Sequence, residues 1–317
     1  MKVVILGAGG VGGYVGARLI EAGTDVTFLA REQRVQELAS QGLVLKSPLG
    51  DFSGPVKVVR AGDKPADQPD AVLLSCKEPA LASALAAVAP LLEPGTRLLP
   101  LLNGVRHIDM LAERFPRTPL LGGIVHGAAN LRPDGVIEHL SSFMTVITGP
   151  VASPSDPVAS EIVDRLKGAG VDAYATHEIR QDMWNKFLFL AAFAGITSLM
   201  RASIGIILAS DSGRERIVQL LEETRSVAVA EGFAPPEMLM DEYRTLLTEP
   251  GSPLTSSMLR DIEAGRRTEG AHILGDMLAR ARKHGLATPV LAVAAAHVEA
   301  YERRLDAAQP RGAARDT

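Results

Sequence analysis

The backbone run Gly7-Ala8-Gly9-Gly10-Val11-Gly12 is the first stretch of the chain whose spacing suggests chemistry. It follows the apolar segment KVVIL and leads into the helical pattern GYVGARLIEAG. A GxGxxG set between a strand and a helix is the context in which glycines cradle a dinucleotide pyrophosphate. Gly7 would permit the tight turn, Gly9 the approach of backbone to phosphate, and Gly12 close packing of helix on strand. The phosphates would then rest on the free N–H groups of that helix. A plain glycine-rich turn is the bland alternative.

Polar side chains at the ends of apolar runs come next. VTFLA ends in Ala30 and is followed by Arg31, with Arg34 nearby. An NAD site puts a carboxylate about 20 residues past the glycines, to bond the ribose 2′-hydroxyl. A guanidinium at that place instead suits a 2′-phosphate, through paired charge-assisted hydrogen bonds. NADPH is therefore expected over NADH, against the alternative that Arg31 is only a solvated helix-cap residue. AVLLSCK ends in Lys77 and RLLPLLNG reaches Asn103. Ligands of open α/β sheets collect beyond such carboxyl ends, so Lys77 and Asn103 are candidates for the cofactor and substrate cleft.

Lys186 stands near the start of MWNKFLFLAAFAGITSL, four residues after Asp182. An i,i+4 ion pair on a helix surface contributes only about 0.2–0.5 kcal/mol, and that is the plain reading. The residues after it are apolar all round, as in a helix buried on most sides. A desolvated lysine there has a lowered pKa and can give a proton to an oxygen on which negative charge develops. His126 and His139 lie near strands and read as structural, and no histidine pair has helical metal-ligand spacing, so no metal is expected.

These groups need a scaffold of two kinds. Lys2–Leu6, Asp25–Leu29, Val56–Val59, Ala71–Ser75, Thr96–Leu101 and Leu120–Val125 alternate with helical stretches, the pattern of a parallel sheet wound with helices. Val136–His139 and Met144–Thr148 read as further strands whose antiparallel pairing is left open. After VASPSDPVAS, Glu161–Tyr174 reads as one more helix and strand; beyond His177 the strand signal fades and helical spacing dominates. The expectation is an α/β Rossmann domain at 1–176, an all-α domain at 177–306 for substrate binding and dimerisation, and a disordered tail at 307–317.

Composition narrows the function classes. Charges of 33 basic and 37 acidic residues give a formal net charge of −4, with no basic patch for nucleic acid. The lone Cys76 fits a reducing cytoplasm. The N-terminal apolar run is too short for a signal peptide, and no uninterrupted apolar stretch reaches the ~18–20 residues of a membrane span.

GAGGVGG, SCK at Lys77, LLNG at Asn103, DMWNK at Lys186 and SSMLRDIEAGRRTE near the end together resemble the ketopantoate reductase family, NADPH-dependent 2-dehydropantoate 2-reductases of pantothenate synthesis. The likeness spans nearly the whole chain, and its C-terminal motif is its most specific part. It implies a Rossmann domain joined to a helical domain of the 6-phosphogluconate dehydrogenase C-terminal type, and a homodimer. It also implies Lys186 as the acid, Lys77 and Asn103 as cleft residues, Ser257 as a substrate-binding serine and Glu269 as an essential glutamate. Read from the residues alone, Ser257 could be a helix N-cap, as could Thr255 or Ser256, and Glu269 an exposed partner of Arg266 or Arg267. One departure stands out. Family members present asparagines four and eight residues after the lysine, where this chain has Leu190 and Ala194. Reduction of 2-dehydropantoate is the leading expectation, with reduction of another 2-oxo acid or carbonyl, or non-catalytic NADPH sensing, as alternatives.

Overall fold

A computed structural model of the chain describes residues 1–65, 67–76 and 80–308. They divide into two compact units, Met1–Met183 and the residues from Trp184 onward.

The first unit is built on β1 (Lys2–Leu6), α1 (Gly10–Glu21), β2 (Asp25–Ala30), α2 (Glu32–Gln41), β3 (Leu43–Lys46), β4 (Phe52–Gly54), β5 (Lys57–Arg60) and β6 (Ala71–Leu74). It continues with α3 (Leu81–Val88), β7 (Arg97–Pro100), α4 (Arg106–Arg114), β8 (Leu121–His126), β9 (Ala129–Leu131), β10 (Ile137–His139), β11 (Thr145–Pro150), α5 (Pro157–Gly168) and β12 (Asp172–Ala175). The central sheet is parallel in the order β5-β2-β1-β6-β7, the doubly wound pattern in which strand order reverses beside the first strand. Its apolar runs follow from burial on both faces. Val3, Ile5, Phe28 and Leu73 pack into a core with α1 and α5, while Val4, Leu6, Leu29 and Leu74 pack with Leu81, Leu85 and Leu111 of α3 and α4.

Two smaller sheets depart from the single wound sheet that the sequence suggests. The order β4-β3-β10-β9 forms one and β12-β11-β8 the other. β10 pairs parallel with β3 and antiparallel with β9, and β11 pairs antiparallel with β8. The four-stranded sheet lies against α1. Arg18, 3% exposed, donates to Ser47 Oγ and to the carbonyls of Leu49 and Gly50 in the β3–β4 loop. His139 of β10 lies edge-on to Tyr14, centroids 4.9 Å apart, with Ser47 and Ser141 hydroxyls at 2.9 and 3.0 Å from its two ring nitrogens. It is a structural histidine.

α5 starts on a built cap. Asp156 Oδ1 accepts from the Val158 and Ala159 N–H groups at 2.9 and 3.3 Å, and its Oδ2 accepts from Arg97 Nε at 3.1 Å. Asp156→Ala removes the cap and an ion pair together at a buried site. Thermal or urea unfolding should show a loss of about 1–3 kcal/mol.

The second unit is helical: α6 (Ile179–Met200), α7 (Ile204–Leu208), α8 (Gly213–Ala230), α9 (Glu237–Leu247), α10 (Ser257–Glu263), a π-helical turn at Ala271–Gly275, α11 (Asp276–Lys283) and α12 (Pro289–Ala308). The division between the units falls inside α6, later than the sequence boundary at 176. The first turn of α6 packs back on β8, where a Cβ at Gly122 would meet Ile179 at 2.6 Å and Met183 at 3.0 Å. Beyond that turn α6 is a core helix. A Cβ at Gly195 would meet Leu220 of α8 at 3.1 Å and Leu274 of the π-turn at 3.4 Å. Among the described residues α6 alone is long and apolar enough to cross a membrane, and 61% of its most apolar window is buried within the protein. The expected tail lies, from 309, outside the described residues.

Candidate functional site

The glycine loop connects β1 to α1 at the point where strand order reverses. Gly7 has φ +106°, which a side chain would strain, and a Cβ there would also lie 2.3 Å from the Ser75 carbonyl oxygen. Ala8 is buried, and Gly12 closes on the Gly7 carbonyl, where a Cβ would sit 2.1 Å away. Gly10 is a packing glycine: its Cβ position lies 2.0 Å from the Ala129 carbonyl oxygen of β9. Val11 is partly buried against the core. Gly9 differs from all of these, because nothing stands within 4 Å of its Cβ position. It is the N-cap of α1, makes no side-chain cap and has no acid in the turn that follows, so no side chain of the helix itself takes up its first N–H groups. A dinucleotide pyrophosphate fits that cradle.

Arg31 is exposed at the end of β2 and supplies the backbone N-cap of α2 without a side-chain cap bond. No carboxylate stands at that strand end, where the sequence expects Arg31 to meet a 2′-phosphate. Arg34, one turn on, has a different job. Its Nε donates to the Ala8 carbonyl at 3.2 Å and its Nη1 to the Gly135 carbonyl at 3.1 Å and to Glu37 at 3.0 Å. This clamp joins the glycine loop, α2 and the β9–β10 turn. Sequence spacing noted Arg34 only as a second cation; its partners lie on segments far apart in the chain, so no local signal could reveal the clamp. Asn103 follows β7, partly buried and next to Gly104, whose φ is +80°. Lys77 lies outside the described residues.

In the helical unit Lys186 is partly buried on α6. Burial pulls its ammonium down from 10.5 to about 8, and the charge of Glu269 acts against that fall. Glu269 itself is partly buried, at the mouth of the π-turn. Of the arginines that precede it, Arg266 pairs with Asp261 at 2.9 Å and Arg267 with Glu302 and Asp306. Lys186 and Glu269 thus form a charge pair whose members come from α6 and from the segment before α11.

The serines are sorted as well. Ser256 is the N-cap of α10, its Oγ accepting from the Leu259 N–H at 3.1 Å, and Thr197 of α6 places its hydroxyl 2.8 Å away. Ser257 is released from capping and is exposed as the first residue of α10. Leu190 and Ala194, expected to line one wall, part company: Leu190 is partly exposed, whereas Ala194 is 1% exposed and packed inside the helical core. The Ala194 methyl therefore does not face solvent.

A doubly wound sheet with an anion cradle, followed by a helical unit that holds a partly buried lysine within the field of a glutamate, defines an oxidoreductase of the Rossmann class. Residues 3–152 match the family model for "Ketopantoate reductase PanE/ApbA", and residues 178–302 match that for its C-terminal part. The chain belongs to the ketopantoate reductase family, oxidoreductases acting on CH–OH groups. It is 35% identical over 303 residues to an uncharacterized oxidoreductase, YkpB, of Bacillus subtilis, covering 95% of this chain and 99% of that one. It is 28% identical to the 2-dehydropantoate 2-reductase of Halobacterium salinarum, over 96% of this chain and 99% of that one. The solved 2-dehydropantoate 2-reductase of Methylococcus capsulatus superposes with a TM-score of 0.88 at 25% identity, over 98% of this chain and 99% of that one.

Proposed function

We propose that this protein is an NADPH-dependent 2-oxo acid reductase, with 2-dehydropantoate the leading substrate and pantoate the product. The observation that carries the reading is the partly buried Lys186, its ammonium lowered to about 8 with the charge of Glu269 acting against the fall, in a chain of this family. NADPH, when bound, supplies a hydride to the carbonyl carbon. The protein's own residues do the rest. The α1 N-terminus holds the pyrophosphate, and Arg31 pairs with the 2′-phosphate. Asn103 bonds the cofactor or substrate, a role that the family resemblance extends to Lys77. Lys186 donates its proton to the carbonyl oxygen, where negative charge develops as the C–O double bond becomes single. Glu269 keeps the lysine charged until that moment, and Ser257 bonds the substrate. In this reading the enzyme works in the cytoplasm as a homodimer. The lone Cys76 supports the compartment, and Ile206, Met238 and Val293, left 67%, 74% and 57% exposed on the helical unit, are side chains a dimer could cover.

A second reading concerns the substrate alone. Leu190 presents isobutyl carbons one turn beyond the proton donor, where an amide would bond a substrate hydroxyl. A site built to hydrogen-bond a hydroxyl favours the hydroxylated substrate strongly, and an apolar wall loses that preference. NADPH oxidation across 2-dehydropantoate and a panel of 2-oxo acids without the distal hydroxyl decides between them. Dominant kcat/KM for 2-dehydropantoate supports the first reading, and higher values for the apolar acids support the second. No turnover of any of them would return the protein to the class of NADPH sensors. Leu190→Asn should shift the ratio toward 2-dehydropantoate by about 10-fold or more.

A further inference from the structure

Glu269 is useful only if its carboxylate is held in place, yet the residues before it, GRRT, form no helix or strand. The chain there is fastened from α12 instead. Glu302 Oε1 accepts from the Thr268 N–H at 2.6 Å and from the Thr268 hydroxyl at 2.8 Å, while its Oε2 accepts from Arg267 Nη1 at 3.2 Å. The neighbouring Tyr301 donates its hydroxyl to the Arg266 carbonyl at 2.7 Å. On the other side of Glu269 the Gly270 N–H returns to Thr268 Oγ1 at 3.0 Å, and a Cβ on Gly270 would strike Val298 of α12 at 2.2 Å. Consecutive residues flanking Glu269 are thus seated on one face of α12. The Glu269 carbonyl accepts from the Ile273 N–H at 2.9 Å as the chain enters the π-turn, a form of helix that often marks functional sites.

We infer that Glu302 and Tyr301 are positioning residues for the reaction, a clip through which α12 holds the Glu269 carboxylate against Lys186. The inference rests on the reading of Lys186 and Glu269 given above. Thr268 turns a single carboxylate into a two-point anchor, since it offers both its N–H and its hydroxyl to one oxygen. Around the clip Glu302 faces Arg267, which also meets Asp306, and Tyr301 lies among Arg201, Asp261, Arg266 and Glu302. The charge of Glu269 acts on Lys186 and favours its ammonium form. Misplacing a carboxylate by about 1 Å can cost as much as 10²-fold in rate without touching the binding of a cofactor elsewhere.

The test uses the full-length enzyme and reads kcat, NADPH affinity, thermal stability and the pH profile together. Glu302→Ala should lower kcat about 10–100-fold with NADPH affinity unchanged, and should move the high-pH fall of the rate to lower pH, because the group that keeps Lys186 charged is no longer held beside it. Glu302→Gln, which keeps an acceptor for Thr268, should recover most of the turnover. Glu299→Ala, which breaks only the exposed pair with Arg303 on the same helix, should match the parent. If Glu302→Ala does not fold, Thr268→Val removes one bond of the anchor and should show the same changes at smaller size. Parent kcat and parent pH profile in these variants, with Glu269→Gln slow, overturn the clip while leaving the reductase reading intact. A fully active Glu269→Gln overturns both.

Discussion

Lys186→Met should lower turnover about 10²–10⁴-fold, the usual contribution of a positioned proton donor, and leave NADPH affinity close to that of the parent. The same variant should be more stable. In the folded protein the lysine titrates near 8, against 10.5 when free, so below pH 8 the fold carries a charge it disfavours. A depression of this size corresponds to about 3 kcal/mol at most, and methionine keeps the apolar stem while removing the ammonium. A gain of about 1–3 kcal/mol at pH 7 is expected in denaturant unfolding. The sign of the pH dependence follows. Between pH 8 and 10.5 the unfolded chain binds the proton that the folded chain has released, so the parent's stability rises with pH in that window and the advantage of the variant shrinks. The rate moves in the opposite direction: carbonyl reduction needs the ammonium, so kcat falls as pH rises through about 8, and the Met variant lacks that limb. A fully active Lys186→Met, or a variant less stable than the parent at pH 7, would sink the assignment of Lys186 as a strained proton donor.

How much of this was legible in the sequence depends on whether the cause is local. The β1–glycine–α1 segment could be read because a strand, a turn and a helix announce themselves within a few residues. The double-sided burial of β1, β2 and β6 could be read because both faces of these strands carry apolar side chains. β3 and β9 could not. β3 pairs with β4 nearby and with β10 far along the chain, Ile137 facing Leu45, while β9, the hairpin partner of β10, is only Ala-Asn-Leu and too short to show a strand pattern. The site divides in the same way. Lys186 was visible as an ammonium at the mouth of an apolar run, but the glutamate that opposes its loss of charge comes from a different segment. Nor could spacing decide among Thr255, Ser256 and Ser257 for the cap. That choice is made by Thr197 on α6, which meets Ser256 and so leaves its neighbour exposed. Leu190 and Ala194 share a helix face in sequence, and only packing against the other helices leaves one partly exposed and the other inside.

Arg31→Ala should raise the dissociation constant for NADPH about 10–100-fold and leave that for NADH nearly unchanged, because a hydrogen-bonded charge contributes about 1.5–3 kcal/mol and NADH offers it no phosphate. The competing arrangement is specific. Glu32 is next in the chain and pairs with Arg60 at only 3.8 Å across exposed surface; if it bonded a ribose hydroxyl instead, NADH would be preferred and Glu32→Gln would weaken it. Arg34 commits its Nε and Nη1 to the clamp on Ala8, Gly135 and Glu37. Arg34→Ala should therefore loosen the glycine loop and weaken both cofactors by a similar factor. The two arginines are separable in one titration series: loss of discrimination at Arg31, loss of affinity without loss of discrimination at Arg34. Salt adds a second check, since Arg31 is exposed and its contribution is screened. The NADPH preference of the parent should narrow as ionic strength rises, and equal affinities for the two cofactors at low salt would remove the 2′-phosphate from Arg31.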